Sequence, residues 1–314
     1  MGTMTFTEAQ LNDFTTMGVE CEGFGISRER AAQVAAEVLQ GRVSYHGGTY
    51  SEWRVYDRDN AAWAFRYDSS IPSNNSDDAV ELVTPVLRYA DLPRLQQVVR
   101  ALKCAGLRTD PTQCGVHVHL GASPLTGFAL GNLARLVYSR EAHIFAGLQV
   151  APARRRSYTK DLDGAFLHDL AAHHPATRED LARMWYGMSD EYSLRSAQQH
   201  HYHESRYGGL NLHSVFFRGT AEFRWFNGTL HAGQIKAYVQ LCYCLALKAM
   251  LTKRAFPLTR YDYEEESAKY DLRRFLVFLG MNGEEFATAR KLLTDHLPGN
   301  GNAPGDRRTA RLRA

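Results

Sequence analysis

Two histidines alternate with valines in the stretch Gly115-Val-His-Val-His119. An alternation of period two predicts a β-strand with one apolar face and one polar face. His117 and His119 would then project from the same face, about 7 Å apart along the strand. Imidazoles at this spacing suit metal binding or phosphate contact, although an HxH motif alone is weak support for either.

Two further stretches carry ionisable side chains at alternate positions. Glu20 and Glu22 lie in GVECE (18–22), and Glu222 and Arg224 lie in TAEFRWF (220–226). Two carboxylates on one strand face repel each other unless a cation or protons neutralise them, and the alternative is a solvated strand face. A metal-bound Glu222 and the Arg224 guanidinium would hold one phosphate from two directions, whereas the alternative is an ordinary intra-strand salt bridge.

Three other stretches add candidate residues. Glu81 interrupts the apolar run AVELVTPV (79–86), where a charge needs a partner unless the strand lies at a sheet edge. Arg206 and the run Arg154-Arg155-Arg156 are candidates for anion binding, or else surface arginines.

The predicted donor set favours Mg²⁺ or Mn²⁺, because carboxylate-rich sites with one imidazole suit these ions better than zinc. A zinc site built on His117 and His119, with a third ligand from His200–His203, remains an alternative. The chain has neither a GxxxxGK[ST] loop nor a GxGxxG loop after a strand. Bound ATP would therefore be held by strand-borne metal ligands and arginines.

Composition excludes several classes of function. The formal net charge is +3, and residues 298–314 alone contribute +3 through four arginines and one aspartate. The remainder of the chain is therefore neutral, and net charge gives no support for a nucleic-acid partner. Five cysteines form no CxxC pair, which indicates free thiols in a reducing compartment. The longest apolar stretch, 239–251, is too short and too polar to span a membrane. We expect a soluble, cytoplasmic protein.

Strand and helix patterns alternate along the chain. Strands are predicted at 17–21, 53–56, 63–67, 79–86, 115–120, 208–215 and 221–226, and helices at 27–40, 91–106, 125–149, 165–200, 231–251 and 283–296. Residues 1–14 and 154–158 are predicted to lack regular structure. Because several strands form hairpins, we expect an α+β fold with a largely antiparallel sheet and helices packed on one face. One domain would cover 1–297, and 298–314 would be a disordered basic tail.

Five motifs in this order, GVECE, AVELVTPVL, CGVHVHL, GGLNLHS and TAEFRWFNGTL, resemble the putative amidoligase family. That family belongs to the glutamine synthetase and glutamate–cysteine ligase superfamily of carboxylate–amine ligases. The resemblance covers about residues 17–250. It implies a sheet curved around the active site, as in the glutamine synthetase catalytic domain, with helices on its outer face and with metals bridging ATP and a substrate carboxylate.

The resemblance also implies a role for each motif residue. Glu20 and His117 would bind the metal on the nucleotide phosphates, and Glu22 and Glu81 the metal near the acyl substrate. Glu222 resembles the last carboxylate ligand of the family. Arg224 resembles a phosphate-binding arginine, and Arg206 is a looser match for a second one. His119 would support the ligands or touch substrate or phosphate. Glutamine synthetase has a further glutamate after the Glu81-like residue, and no counterpart can be placed here.

The resulting hypothesis is an ATP-dependent ligase that joins a carboxylate to an amine through an acyl phosphate. Its partners would be ATP, Mg²⁺ or Mn²⁺, and an amino-acid, peptide or protein substrate. One alternative is a phosphotransferase like the guanidino kinases, which share the superfamily fold. Others are a zinc hydrolase using His117 and His119, and a catalytically silent peptide-binding module.

Overall fold

Eight β-strands form one antiparallel sheet that is not closed, in a computed structural model that describes residues 4–302. The strands are β1 (Met17–Phe24), β2 (Arg42–Gly47), β3 (Glu52–Tyr56), β4 (Ala62–Arg66), β5 (Ala79–Val83), β6 (Gly115–Gly121), β7 (Leu210–Asn211) and β8 (Thr220–Asn227). Their order across the sheet is β2-β3-β4-β5-β1-β6-β8-β7. The strands with the motif residues, β5, β1, β6 and β8, are therefore neighbours.

Period-two alternation gives these central strands one apolar face. Val19 on β1 is paired with Val118 on β6, and both are buried. A bulge between β6 and β8 places one extra residue on β8, so that Val118 pairs with Phe223 and Val116 pairs with Phe226. Because paired residues share a face, both phenylalanines face the same side as the valines, and the acidic and imidazole side chains occupy the opposite side.

Twelve α-helices occur within residues 4–302. They are α1 (Glu8–Phe14), α2 (Arg28–Leu39), α3 (Leu92–Cys104), α4 (Gly127–Gly147), α5 (Pro152–Ser157), α6 (Gly164–Ala172), α7 (Arg178–Tyr186), α8 (Glu191–Gln199), α9 (His213–Arg218), α10 (Ala232–Leu251), α11 (Ala268–Phe278) and α12 (Ala287–Thr294). Helices α2, α3, α10 and α4 contact one another in that order, and α2 and α10 lie against the sheet.

The predicted antiparallel sheet with packed helices is confirmed, whereas the likeness to the glutamine synthetase catalytic domain stays a prediction. Helix α10 is buried on almost every side, as its apolar surface predicts. No helix in the described part of the chain is long and apolar enough to cross a membrane. Most of the predicted basic tail, residues 303–314, lies outside the described residues.

Several segments differ from the sequence predictions. Residues 8–14 form α1, where Thr7 and Gln10 make a capping box at the first turn. Residues 152–157 form α5 rather than a connection. The predicted strand at 208–215 is reduced to β7, because α9 begins at His213 and ends where Gly219 takes a φ of 76°.

The predicted helix at 165–200 is divided into α6, α7 and α8, and the sequence predictions contain neither β2 nor α11. The buried residues of α11, namely Ala268, Leu272, Phe275 and Leu276, follow helical spacing, so the signal is present in the sequence.

Candidate active site

Strand pairing brings the motif side chains together on the sheet face opposite α2 and α10. Glu20 on β1 lies directly across from His117 on β6, and Glu22 lies across from Glu81 on β5. On the other side of β6, His119 is paired with Glu222 on β8. Cross-strand partners lie about 5 Å apart, so this register alone gathers residues that are up to 200 positions apart in sequence.

The first cluster of potential metal ligands consists of Glu20, His119 and Glu222, each with one ligand atom within 4.8 Å of the others. The Nε2 atom of His119 lies 3.4 Å from Oε1 of Glu20 and 3.7 Å from Oε1 of Glu222. This Nε2 is buried and makes no hydrogen bond to any residue within 4–302. A buried imidazole nitrogen between two carboxylates has the donor chemistry of a divalent-cation site.

Neighbouring side chains hold this first cluster in place. Asn211 on β7 donates its amide to Oε2 of Glu222 at 2.6 Å, and Arg224 donates Nη1 to Oε1 of the same carboxylate. Nδ1 of His119 contacts the Thr220 hydroxyl at 3.2 Å, and Nδ1 of His117 lies 3.1 Å from Oε2 of Glu20. Contacts of this kind orient the ligand atoms towards a common point.

The second cluster contains three carboxylates, those of Glu22, Glu81 and Asp68, again within 4.8 Å of one another. Asp68 follows β4 and bends towards Glu81, whose strand is paired with β4. The amide of Gly115 donates to Oε2 of Glu22 at 2.6 Å. Three carboxylates at this spacing fit a hard cation such as Mg²⁺ or Mn²⁺.

The first cluster favours ionised carboxylates. Burial raises the pKa of Glu222, but Arg224 and the two site histidines outweigh it and lower the pKa to about 2. Burial likewise raises the pKa of Glu20, yet His119 and His117 hold it well below its usual range. Burial and Arg224 lower the pKa of His117 to about 4, so at neutral pH the uncharged ring donates a hydrogen bond from Nδ1 to the Glu20 carboxylate. Burial also disfavours a charge on His119, but Glu222 and Glu20 raise its pKa.

The second cluster favours protons or a bound cation. Burial raises the pKa of Glu22 to about 7, although the nearby Arg154 opposes this shift. Burial and the charges of Glu20, Asp68 and Glu22 raise the pKa of Glu81 well above its usual range. Clustered carboxylates in this state accept a divalent cation readily, because the cation removes their mutual repulsion.

A cavity of about 340 Å³ opens over both clusters. Glu20 and Glu222 reach it from the first cluster, and Glu81 and Asp68 reach it from the second. Its lining also includes the following polar and aromatic residues: Tyr50, Glu52, Arg66, His201, Tyr202, Arg206, Asn211, His213, Ser214, Phe217 and Arg218. A cavity of this volume is within the usual range for small-molecule sites.

The predicted arginines differ in their burial and in whether they line the cavity. Arg206 lines the cavity and donates Nη1 to the carbonyl of His201 at 3.2 Å. Arg224 is 6% exposed and paired with Glu222, below the cavity surface. Arg154 is buried, donates to the carbonyl of Arg224, and packs so closely on Gly115 that a Cβ there would lie 2.5 Å from Nη2. Its exposed neighbour Arg155 pairs with Asp161.

The additional histidines do not complete a zinc site with the HxH pair. His201 lines the cavity and contacts Arg218, while His203 stacks on His213. Within residues 4–302, the clusters of potential metal ligands include neither of these rings, nor His117.

Three site residues were not predicted. Asp68 directly follows the predicted strand 63–67 and was given no role. Asn211 lies within the GGLNLHS motif but was given no role. Arg218 was given no role, whereas it ends α9 with Nη1 3.7 Å from Oε1 of Glu20.

Comparison with known protein families gives a match over most of the chain. The family model described as "Putative amidoligase enzyme" matches residues 14–246, which is more than half of the chain and includes all eight strands. A comparison with curated proteins finds no match.

Proposed function

The chain belongs to the amidoligase family, and from this membership we propose that it is an ATP-dependent ligase that forms an amide between a carboxylate and an amine. The family points to a ligase in general. The observation that supports the finer proposal is the pair of ligand clusters, Glu20–His119–Glu222 and Glu22–Asp68–Glu81, below one cavity with arginines in its wall.

In this proposal the first cluster holds a divalent cation on the nucleotide side. His119, with its unpaired Nε2, takes the ligand position that the family resemblance gave to His117. His117 then orients Glu20, and Arg224 orients Glu222. Nη1 of Arg224 already donates to Glu222. A direct contact between Arg224 and phosphate therefore stays a prediction.

The second cluster holds a cation on the acyl side, with Asp68 supplying the third carboxylate. Divalent cations bound at the two clusters would draw charge from the phosphate and carboxylate oxygens that must approach each other. Arg218 and Arg206 line the cavity near the first cluster and would contact phosphate oxygens from the opposite wall.

The reaction has two steps. A substrate carboxylate oxygen attacks the γ-phosphorus of ATP, the bond to the β,γ-bridging oxygen breaks, and ADP leaves with those electrons. The amine nitrogen then attacks the acyl carbon, inorganic phosphate leaves, and the amine loses a proton. The chain's residues position the reactants and stabilise the negative charge on the transferred group.

The test is a screen of carboxylate and amine pairs for Mg²⁺-dependent ADP release, with mass detection of the product. Glu222→Gln should reduce ADP release by at least about a hundredfold, because it removes a charged ligand of the first cluster. Glu204→Gln, at an exposed position of the loop near the cavity, is the matched control.

Amide product together with loss of activity only in Glu222→Gln supports the ligase. A phosphorylated product that never becomes an amide identifies the phosphotransferase instead. Full ADP release by Glu222→Gln would refute the assignment of the site.

A further inference from the structure

A second cavity of about 340 Å³ lies between α4, α11 and the segment 252–263. None of its lining residues belongs to the cavity above the ligand clusters. Four aromatic residues form much of its wall, namely Phe256, Tyr261, Phe275 and Phe278. The segment is fixed to α4 by a hydrogen bond from the Tyr261 amide to the Ser139 carbonyl at 3.0 Å.

Arg140 occupies this cavity because α4 is interrupted there. Its backbone leaves the helical region, with φ −126° and ψ 17°. The Cζ atom of its guanidinium lies 3.6 Å from the ring centroid of Tyr261 and 5.9 Å from that of Phe275. Within the described part of the chain, this half-buried guanidinium makes no hydrogen bond and no ion pair. Five N–H donors therefore lie beside an apolar space without a protein acceptor.

The residues that line the cavity carry a formal net charge of +1. Arg140 and the exposed Arg274 are its cationic residues, and Arg274 lies 5.5 Å from the ring centroid of Tyr270. The anionic residue is Asp271, which already accepts a hydrogen bond from the Ser267 hydroxyl at 2.6 Å. A single negative charge on a ligand would balance this lining, whereas a phosphate dianion would exceed it.

We propose that this cavity binds a small monocarboxylate with an aromatic or similarly flat apolar body. Two N–H groups of Arg140 donate hydrogen bonds to the two carboxylate oxygens, in the bidentate geometry that guanidinium groups favour. The apolar body lies against Phe275 and Phe278, where ring–ring contacts add to the burial of apolar surface. This binding site is independent of the proposed ligase reaction.

The experiment is calorimetric titration of the full chain with three probes: 3-phenylpropanoate, its uncharged amide 3-phenylpropanamide, and inorganic phosphate. The acid should bind at least about tenfold more tightly than the amide, because only the acid forms charge-assisted hydrogen bonds with Arg140. Arg140→Gln should remove this preference and leave amide binding unchanged. Phe278→Ala should weaken acid and amide by similar factors, and Arg100→Gln, on α3, should change neither.

Equal binding of acid and amide would overturn the proposal, and so would an acid preference that survives Arg140→Gln. Phosphate that binds more tightly than the acid would identify a simple anion site and reject the apolar recognition. No heat from any probe at several millimolar would also reject it. If Arg140→Gln fails to fold by circular dichroism, Arg274→Gln on the exposed rim takes its place, with a smaller loss of preference expected.

Discussion

Replacing Asp68 by Asn should change the stability of the protein in opposite directions without and with metal at the second cluster. The substitution removes one of three carboxyl groups that lie within 4.8 Å of one another. It keeps the side-chain oxygen that accepts the Ser70 amide at 2.7 Å, so the local turn is retained. We expect Asp68→Asn to be more stable than the original protein without metal, and to lose most of the stabilisation that Mg²⁺ or Mn²⁺ gives at this cluster.

The magnitude follows from the spacing of the charges. Two unit charges 4.8 Å apart repel by about 3.5 kcal/mol at an effective dielectric constant of about 20. Asp68 is half-buried and therefore screened, and the raised pKa of Glu81 lowers the negative charge that Asp68 faces. The net gain should be about 1–2 kcal/mol, or about 2–3 °C in Tm for a chain of this length.

With metal present, the original protein should gain more stability than Asp68→Asn. A cation at 100 times its Kd adds about 2.7 kcal/mol, and a hundredfold loss of affinity leaves about 0.4 kcal/mol. The assay is thermal unfolding of both proteins after chelation, and again over a titration with MnCl₂. Asp262→Asn, at an exposed position, is the control. A lower Tm of Asp68→Asn without metal, combined with an unchanged response to MnCl₂, would show that Asp68 has only a structural role.

Three further substitutions separate structural from functional contributions. Arg224→Met should destabilise the fold by about 3 kcal/mol or more in urea unfolding, because it leaves the buried Glu222 carboxylate without its ion-pair partner; a loss below about 1 kcal/mol would contradict this. Arg218→Gln, whose side chain is 42% exposed, should change stability by less than about 1 kcal/mol but raise the KM for ATP about tenfold in the ADP-release assay, and an unchanged KM would remove Arg218 from the phosphate contacts. Burial raises the pKa of Glu141 to about 7 from 4.5, so the native state keeps a proton that the unfolded state releases, and stability should fall by about 3 kcal/mol as the pH rises from 4.5 to 7. Glu141→Gln should weaken this fall in urea unfolding at pH 5 and pH 8, and identical pH dependence in both proteins would disprove it.

Much of the sheet could be predicted because its strands carry a local signal. Val19, Val116 and Val118 alternate with ionisable residues, and period-two alternation fixes which side chains share a face before any partner strand is known. Several of the segments that were predicted wrongly are short, such as α1, α5 and α9. Helix α9 contains Val215 and Phe216, which favour strands locally, and its start depends on Asn211 accepting the Ser214 amide at 3.3 Å. Such a contact does not show in hydrophobic periodicity.

The sequence alone determined the acidic and imidazole faces of β1, β6 and β8, because the side-chain direction on a strand depends only on whether positions are odd or even. The tertiary structure decided which of these groups meet. Strand register set His119 between Glu20 and Glu222, and the path of the chain after β4 brought Asp68 to Glu22 and Glu81. It also placed Arg218 at the cavity and Arg224 beneath it. Register and loop path depend on contacts between residues far apart in the chain, and the pattern within a single strand does not predict these contacts.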